Sequence, residues 1–418
     1  MKVLFVSDSP VDNTGYGKIV ANFSNYLKNQ GHSVLIMGGI DPNAQVPFQE
    51  QSWNGCRLWF VPGYGNAEHI RWFLYNEKPD VVVANADPRF FDYLFKMDNE
   101  IRRVCPLVFY HLWDDFPYPD YNSPYYDCCD KIIAGSKFTY DLLKNNYNRK
   151  GTNIDDMLDF VPIGFDSKIY YPLSEEEKVS FQKEFDNQTQ NKYVDRKFVV
   201  GYVGRHMPRK QILDILEVFA KWSKDKPDAV LFLHTPANDG GGSLAFAIQN
   251  KYQGVKVIFN NAIPRIHTNE LMNKFYNFFD VLINRSSAEG FGMPIAEAML
   301  AGTPCIAVNN AGPSGLITPE TGWLLDPDVT PMHSDMTTPY INLRYVTDEK
   351  VISALDDAYF NRNNLLKSKA SKCRDYIINN YGLEKTCKDF EIALEDSIKK
   401  WIKYPEFTIH LIPESIKE

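Results

Sequence analysis

The stretch "RSSAEGFGMPIAEAMLAGTPCIA", residues 285–307, places two carboxylates around a turn between a strand and a helix. The residues before it, "DVLIN", form an apolar run typical of a buried strand. Pro294 suits the first position of a helix, so we expect Glu297 in the first helical turn and Glu289 in the loop before it. Ionised carboxylates only accept hydrogen bonds, so the pair suits the hydroxyls of a ribose or a sugar. Each glutamate also has a plainer explanation, Glu297 as a charge complementing the helix N-terminus and Glu289 as a solvated loop residue.

Apolar runs alternate with helical periodicity on both sides of this stretch. Such alternation predicts two doubly wound, Rossmann-like α/β domains, whose ligands bind at the carboxyl ends of the parallel strands in a cleft. We expect an N-terminal domain over residues 1–165, a polar linker over 166–196, a second domain over 197–380 and a helical tail over 381–418 that packs back on the first domain. Residues 326–349 have no clean period and are interpreted as an inserted loop.

Composition narrows the function classes. The chain has 418 residues and a formal net charge of −8, which gives no overall attraction to nucleic acid or to an anionic membrane surface. Its seven cysteines lack the spacing of metal ligands, and no run reaches the roughly 18–20 apolar residues of a membrane-spanning helix. The N-terminus also lacks a signal peptide's features, so we expect a cytoplasmic protein.

Two further turns between a strand and a helix carry candidate ligand-binding residues. In "GYVGRHMPRK", residues 201–210, Arg205 and Lys210 precede a helix and suit a diphosphate, although solvated surface charge is the plainer explanation. In the first turn, Gly15, Tyr16 and Gly17 open a helix and would let the backbone approach a phosphate or a sugar; a simple tight turn would look the same.

"EGFGMPIAEAMLAGTPCIA" resembles the signature of the GT-B fold glycosyltransferases, in particular the retaining group called glycosyltransferase family 4. "GYGKIVANFSNYLKNQGHSV", "VPIGFDSKIYYP", "GYVGRHMPRK" and "LMNKFYNFFDVLINRSSAEGFG" resemble further family segments in the same order. The resemblance covers most of residues 1–325. It departs from the family at Gly15-Tyr16-Gly17, where a glycine pair is common, and at Ile163-Gly164, where asparagine-glycine is usual.

The resemblance implies a role for each matching residue. Arg205 and Lys210 would bind the donor diphosphate and stabilise the leaving group, Glu297 would hold the ribose and Glu289 the donor sugar. The loop and the first turn would line the donor, through Gly15, Tyr16, Gly17, Gly290, Phe291 and Gly292. His111 matches the position of an active-site histidine near the donor sugar, although a histidine after an apolar strand is often structural.

The resemblance also implies a reaction. The chain would transfer a sugar from a UDP or GDP type donor, such as UDP-glucose, with retention of configuration and with neither metal nor cofactor. A glycan or glycolipid acceptor is expected first and a modified DNA base second, with Trp113, Asp114 and Asp115 as candidate acceptor contacts; Asp114 and Asp115 could equally orient His111 or serve as cap and turn residues. A nucleotide-sugar epimerase and an inactive nucleotide-sugar-binding module on the same fold are the competing interpretations.

Overall fold

A computed structural model describes residues 1–12, 14–188, 190, 192, 195–260, 268–333 and 340–403. The chain divides into two compact units. Unit 1 comprises Met1–Leu112, Tyr118–Gly164 and the chain from Leu383 onward, described as far as residue 403; unit 2 comprises Trp113–Pro117 and Phe165–Gly382. Unit 1 is therefore built from chain on both sides of unit 2.

Unit 1 is built around an eight-stranded sheet of order β3-β4-β2-β1-β5-β6-β7-β8. The strands are β1 Lys2–Asp8, β2 Ser33–Ile40, β3 Glu50–Trp53, β4 Cys56–Pro62, β5 Val81–Asn85, β6 Leu107–His111, β7 Lys131–Ala134 and β8 Leu158–Phe160. The helices are α1 Gly15–Asn29, α2 Ala67–Trp72, α3 Asp92–Lys96, α4 Asp98–Ile101, α5 Ser123–Asp127 and α6 Lys137–Arg149. Among the described strands of this sheet, only β3 pairs antiparallel, with β4. The central strands are mostly buried, as expected when helices cover both faces of a parallel sheet.

Unit 2 is built around a six-stranded parallel sheet of order β13-β10-β9-β14-β15-β16. Its strands are β9 Phe198–Val203, β10 Ala229–His234, β13 Val257–Asn260, β14 Val281–Asn284, β15 Cys305–Val308 and β16 Gly322–Leu325, with two hairpins formed by β11 Asn238–Asp239 and β12 Gly242–Ser243 and by β17 Met332–His333 and β18 Ile341–Asn342. Its helices are α7 Glu175–Gln188, α8 Ile212–Trp222, α9 Leu244–Asn250, α10 Asn269–Phe278, α11 Met293–Leu300, α12 Pro313–Leu316, α13 Asp348–Phe360 and α14 Lys367–Tyr381. Both units thus confirm the doubly wound α/β prediction.

The segment expected to be a linker, residues 166–196, lies within unit 2 as far as it is described. Its helix α7 is polar overall, but Phe181 and Phe185 are buried and contact α10 through Phe275 and Phe278, with ring centroids 6.1 and 4.8 Å apart. Two buried aromatic rings hold a mostly hydrophilic helix on the domain. Of the expected insertion 326–349, residues 334–339 lie outside the described chain, and the flanking residues form the β17–β18 hairpin.

Helix α15, Leu383–Lys400, completes unit 1. The ring of Phe390 stacks on Phe23 of α1 with centroids 3.9 Å apart, and both rings are buried. Asp396 of α15 accepts a hydrogen bond from the buried ammonium group of Lys131 at 2.9 Å. In the part of the chain that is described, no helix combines the length and the apolar character needed to cross a bilayer.

Candidate functional site

The loops after β9 and β14 meet at the carboxyl edge of the unit 2 sheet, where parallel α/β sheets bind ligands. The N–H of Ser287 donates to the carbonyl oxygen of Arg209 at 2.8 Å, and the Ser287 hydroxyl reaches the same oxygen at 3.2 Å. The Arg209 guanidinium donates to the carbonyl oxygen of Ala288 at 2.5 Å. These hydrogen bonds hold together two loops that are distant in sequence.

Lys210 and Glu289 form a direct ion pair at this edge. The Arg209 guanidinium lies 3.9 Å from the Glu289 carboxylate, and the Ser286 hydroxyl donates to the same carboxylate at 3.4 Å. Burial alone would raise the pKa of Glu289, but the charges of Lys210 and Arg209 outweigh burial and hold this pKa below its usual value. Glu289 is therefore an ionised hydrogen-bond acceptor at neutral pH, with two cations beside it.

Arg205 does not join this cluster through a direct contact with Glu289. Its guanidinium makes a two-pronged ion pair with Asp239 of β11, at 2.9 and 2.8 Å, and its side chain is 71% exposed. Arg209, which the sequence interpretation overlooked, takes the place beside Glu289. The sequence does show a second cation in this loop, because Arg209 directly precedes Lys210, but it does not show which side chain Arg209 contacts.

Glycines shape the loop that follows Glu289, and Gly290 is buried within it. The N–H of Gly312 donates to the Glu289 carbonyl oxygen at 2.9 Å, and a Cβ at this glycine would lie 2.3 Å from the backbone of Phe291. Gly292 has a φ of 94° and caps α11, a conformation that favours glycine. Phe291 is buried between Phe165 and Tyr381, so its ring anchors the loop while its backbone stays at the site.

Glu297, predicted to hold a ribose, lies further along α11 than expected. Helix α11 begins at Met293 with Gly292 as its cap, so Glu297 lies beyond the first turn. It is only 4% exposed, its carboxylate accepts a hydrogen bond from the Tyr276 hydroxyl at 2.6 Å, and Tyr170 is a second side-chain partner. In this structure, then, Glu297 joins α11 to its neighbours inside the core of unit 2.

The candidate acceptor contacts Trp113, Asp114 and Asp115 belong to unit 2, not to the N-terminal domain expected for them. The carbonyl oxygen of Asp114 accepts the N–H of Glu289 at 3.3 Å. Asp115 is fully buried, which excludes direct contact with an acceptor in this conformation, and the Trp113 indole donates to the Pro117 carbonyl oxygen at 3.2 Å. This segment supports the Glu289 loop.

In unit 1 the expected glycine turn opens α1 at the carboxyl end of β1. Thr14 caps the helix by accepting the N–H of Gly17 at 3.0 Å, and its own hydroxyl donates to Asp8 at 2.5 Å. A Cβ at Gly17 would lie 2.6 Å from the Ser9 carbonyl oxygen, so the turn requires this glycine. Gly15 and Tyr16 form the first residues of α1.

His111 ends β6 and is 2% exposed. A ring nitrogen, Nε2, shares a hydrogen bond of 2.9 Å with the Tyr126 hydroxyl. Burial lowers the pKa of His111 to about 4, against a smaller opposing effect of Asp87, so the imidazole is neutral at pH 7. A neutral, buried imidazole is suited to hydrogen bonding and not to carrying charge.

Among the described residues, the acidic, histidine and cysteine side chains come close enough to share a metal ion only at His32, Glu391 and Glu395, whose ligand atoms lie within 4.8 Å of one another. His32 and Glu391 already form a contact of 2.6 Å, which joins α15 to the turn between α1 and β2. This cluster belongs to unit 1 and includes none of the predicted site residues. It is accounted for by helix packing.

The first comparison with known proteins is a family match that lies within unit 2. Residues 182–334 match the family described as "Glycosyl transferases group 1". Mannosylfructose-phosphate synthase of Agrobacterium fabrum is 23% identical over 190 residues, which are 45% of this chain and 39% of that protein. Trehalose synthase of Pyrococcus horikoshii is 31% identical over 162 residues, 37% of this chain and 38% of that protein. The matches thus span less than two fifths of each of these relatives.

Solved structures are similar in fold over most of the chain. Sucrose-phosphate synthase from Thermosynechococcus elongatus superposes with a TM-score of 0.70 at 16% identity, covering 94% of this chain and 98% of that one. Anabaena HepE in complex with UDP and glucose gives a TM-score of 0.68 at 16% identity, covering 94% and 99%. The chain therefore has the GT-B fold of glycosyltransferases, and its residues 182–334 match the glycosyl transferases group 1 family.

Proposed function

We propose that this chain transfers a sugar from a nucleotide-diphosphate sugar to a hydroxyl group of an acceptor. The observation that carries the proposal is the cluster of Lys210, Arg209 and Glu289 at the carboxyl edge of the unit 2 sheet, inside the matched segment 182–334. In such a site the two cations can bind the anionic diphosphate of the donor, and the ionised carboxylate can accept hydrogen bonds from the sugar hydroxyls. The solved neighbour HepE, recorded with UDP and glucose, supports a donor of the UDP-glucose type.

Each charged residue has a distinct part in this proposal. Lys210 and Arg209 bind the diphosphate, and Lys210 exchanges part of its contact with Glu289 for a phosphate oxygen. Glu289 then accepts hydrogen bonds from the donor sugar. Arg205 is exposed and close in sequence, so a diphosphate can compete with Asp239 for its guanidinium.

The reaction we propose proceeds on one face of the sugar and retains its configuration. The bond from the anomeric carbon to the phosphate oxygen breaks, the acceptor oxygen bonds to that carbon, and the acceptor proton passes to the departing phosphate oxygen. Fixed cations stabilise the charge that develops on the diphosphate, which is the usual way that such sites lower a barrier. With the cations supplying this charge, we propose that no metal ion takes part.

For the acceptor we propose a glycan or a glycolipid, received at the carboxyl edge of the unit 1 sheet. That edge carries Tyr16, which is partly exposed, beside the glycine turn. A tyrosine ring and hydroxyl offer both a stacking surface and a hydrogen bond to a sugar. His111, which we propose as an active-site residue, is a buried, neutral imidazole that shares a hydrogen bond with the fully buried Tyr126.

A donor screen tests the proposal directly. UDP, GDP and ADP sugars are added singly, and thermal unfolding identifies the donor that stabilises the protein; binding at 100 times Kd adds about 2.7 kcal/mol. The best donor is then incubated with a panel of glycans and glycolipids in the presence of a chelator, and the anomeric configuration of the product is read by NMR. We expect a retained glycoside that forms with the metal removed. Formation of an epimer without any acceptor, or donor binding without turnover on any acceptor, would contradict transferase activity.

A further inference from the structure

Two sequence features have no part in the proposed reaction, the paired aspartates at 114–115 and the segment 326–349. The structure brings them together within unit 2. The N–H of Asn342 donates to the carbonyl oxygen of Phe116 at 2.6 Å. The Arg344 guanidinium lies 3.1 Å from the Asp115 carboxylate and 5.3 Å from the centre of the Phe116 ring. Residues 113–117 are therefore held from one side by the strand β18 and the residues after it.

Arg344 reaches the Glu289 loop as well. Its N–H donates to the carbonyl oxygen of Ser287 at 2.8 Å, and its Nη1 donates to the carbonyl oxygen of Asn309 at 2.8 Å. On the far side of the loop, the N–H of Glu289 donates to the carbonyl oxygen of Asp114. Arg344 thus donates a backbone hydrogen bond to the Glu289 loop, and its side chain forms an ion pair with Asp115 of the segment 113–117.

We propose that Arg344 is a positioning residue for the Lys210–Glu289 pair, acting through the contacts of its side chain with Asp115 and with the carbonyl oxygen of Asn309. The proposal rests on the proposed function, since it assigns Glu289 to the donor site. Glu289 has hydrogen bonds on both sides, from its N–H to Asp114 and from Gly312 to its carbonyl oxygen. If Arg344 releases the 113–117 segment, the first of these bonds is lost and the carboxylate shifts. Small displacements of a catalytic group are costly, about 100-fold for 1 Å.

Asp115 makes this contact sensitive to pH. Burial raises the pKa of Asp115 to about 7, while Arg344 and the N–H of Phe116 favour the ionised form and Asp114 opposes it. Above this pKa the carboxylate is charged and pairs with Arg344. Below it the carboxyl is neutral and the pair weakens.

The test compares Arg344→Ala, Arg344→Lys and Asp115→Asn with Lys350→Ala. Lys350 also anchors this part of the chain, pairing with Asp328 at 2.6 Å, and serves as the matched control. For Arg344→Ala we expect kcat to fall about 10- to 100-fold, with the donor KM changing less than threefold. Arg344→Lys restores only part of kcat, because one ammonium cannot bond Asp115 and Asn309 as the planar guanidinium does.

The dependence of kcat on pH distinguishes a positioning role of Arg344 from a general loss of stability. Wild-type kcat should fall as pH drops through about 7, and Asp115→Asn should lack this limb. The double variant Arg344→Ala with Asp115→Asn should lose less activity than the two single losses combined, because both substitutions break the same Arg344–Asp115 contact. Arg344→Ala with wild-type kcat, or additive losses in the double variant, would overturn the proposal.

The two proposals fail in different ways. If wild-type protein turns over no donor, the proposed function fails before any variant is compared. If wild type is active and Lys350→Ala lowers kcat as much as Arg344→Ala does, general loosening of the segment explains the loss and Arg344 has no positioning role. Should Arg344→Ala not fold, Arg344→Lys and Asp115→Asn answer the same question by their kcat and pH profiles.

Discussion

At the scale of single residues, substitutions in the Lys210–Glu289 pair give the strictest test of the proposed donor site. Replacing Lys210 with Met removes the cation and leaves the Glu289 carboxylate buried without its main partner. We expect kcat/KM for the donor to fall at least about 100-fold, because one charge stabilising the leaving group is lost. The free energy of unfolding should fall by about 3 kcal/mol, as is usual when one partner of a buried ion pair is removed. Steady-state kinetics and urea unfolding measure the two effects separately.

A second substitution separates catalysis from stability at this pair. Adding Glu289→Gln to Lys210→Met removes the uncompensated charge, so most of the lost stability should return while activity stays low. Recovery of both activity and stability would show that the pair serves only the fold.

His111 gives a prediction for the pH dependence of stability. Its pKa in the folded protein, about 4, lies below the ordinary 6.5, so the unfolded chain binds the proton more readily between these values. The stability contributed by the neutral imidazole is therefore complete above pH 6.5 and is lost as pH falls towards 4, by about 3 kcal/mol in all. His111→Gln should flatten this part of the unfolding free energy measured against pH.

Tyr126→Phe is the control for the His111 prediction. It removes the hydrogen bond to His111 but keeps the imidazole buried, so the acid-dependent loss should persist. An identical pH slope in wild type and His111→Gln would rule out a neutral, buried His111.

At the scale of elements, Glu297 acts as a joint between α11 and α10. Both Glu297→Gln and Tyr276→Phe weaken the buried hydrogen bond between these helices, and we expect each to lower the free energy of unfolding by about 1–3 kcal/mol. Neither should change the affinity for nucleotide more than twofold, since the carboxylate is turned into the core. Calorimetric titration with the best nucleotide, run beside thermal unfolding, measures both quantities. A selective loss of nucleotide affinity in Glu297→Gln would restore the ribose role.

The strands were predictable because their signal is local. Parallel strands covered on both faces appear as unbroken apolar runs, so β1, β9 and β14 could be located from the sequence. The glycines at 17 and 292 could likewise be read as belonging to turns before helices, and the structure requires glycine at both positions.

Side-chain partners were not predictable, because they depend on residues distant in sequence. In the sequence, Arg205 and Arg209 are two similar cations of one loop. In the structure, Arg205 pairs with Asp239 of the β11–β12 hairpin, and Arg209 lies beside Glu289. The spacing of Glu297 predicts a ligand contact, but it does not show that Tyr276 and Tyr170, from other segments, are partners of its carboxylate. Likewise, nothing local marks 113–117 as part of unit 2.

At the scale of the whole molecule, the chain leaves unit 1 for unit 2 and returns at Leu383 with α15. The core of unit 1 is therefore incomplete until α15 is made. Phe390 is fully buried and its ring stacks on that of Phe23. The centres of the Phe390 and Phe5 rings are 6.1 Å apart, so Phe390 joins α15 to both α1 and β1. Residues 1–164 lack this ring, and we do not expect them to be stable alone.

Phe390→Ala tests this dependence. Replacing a fully buried phenylalanine with alanine costs about 3–5 kcal/mol, and here the loss should fall on unit 1, because the contacts of Phe390 lie there. Limited proteolysis along a urea titration should then cut unit 1 at lower denaturant than in wild type, while cleavage within unit 2 keeps its midpoint. Ile392→Ala, on the same helix but 52% exposed, is the matched control and should leave both midpoints unchanged. Equal shifts of both midpoints in Phe390→Ala would instead mean that the two units unfold as one, and that α15 stabilises the entire chain.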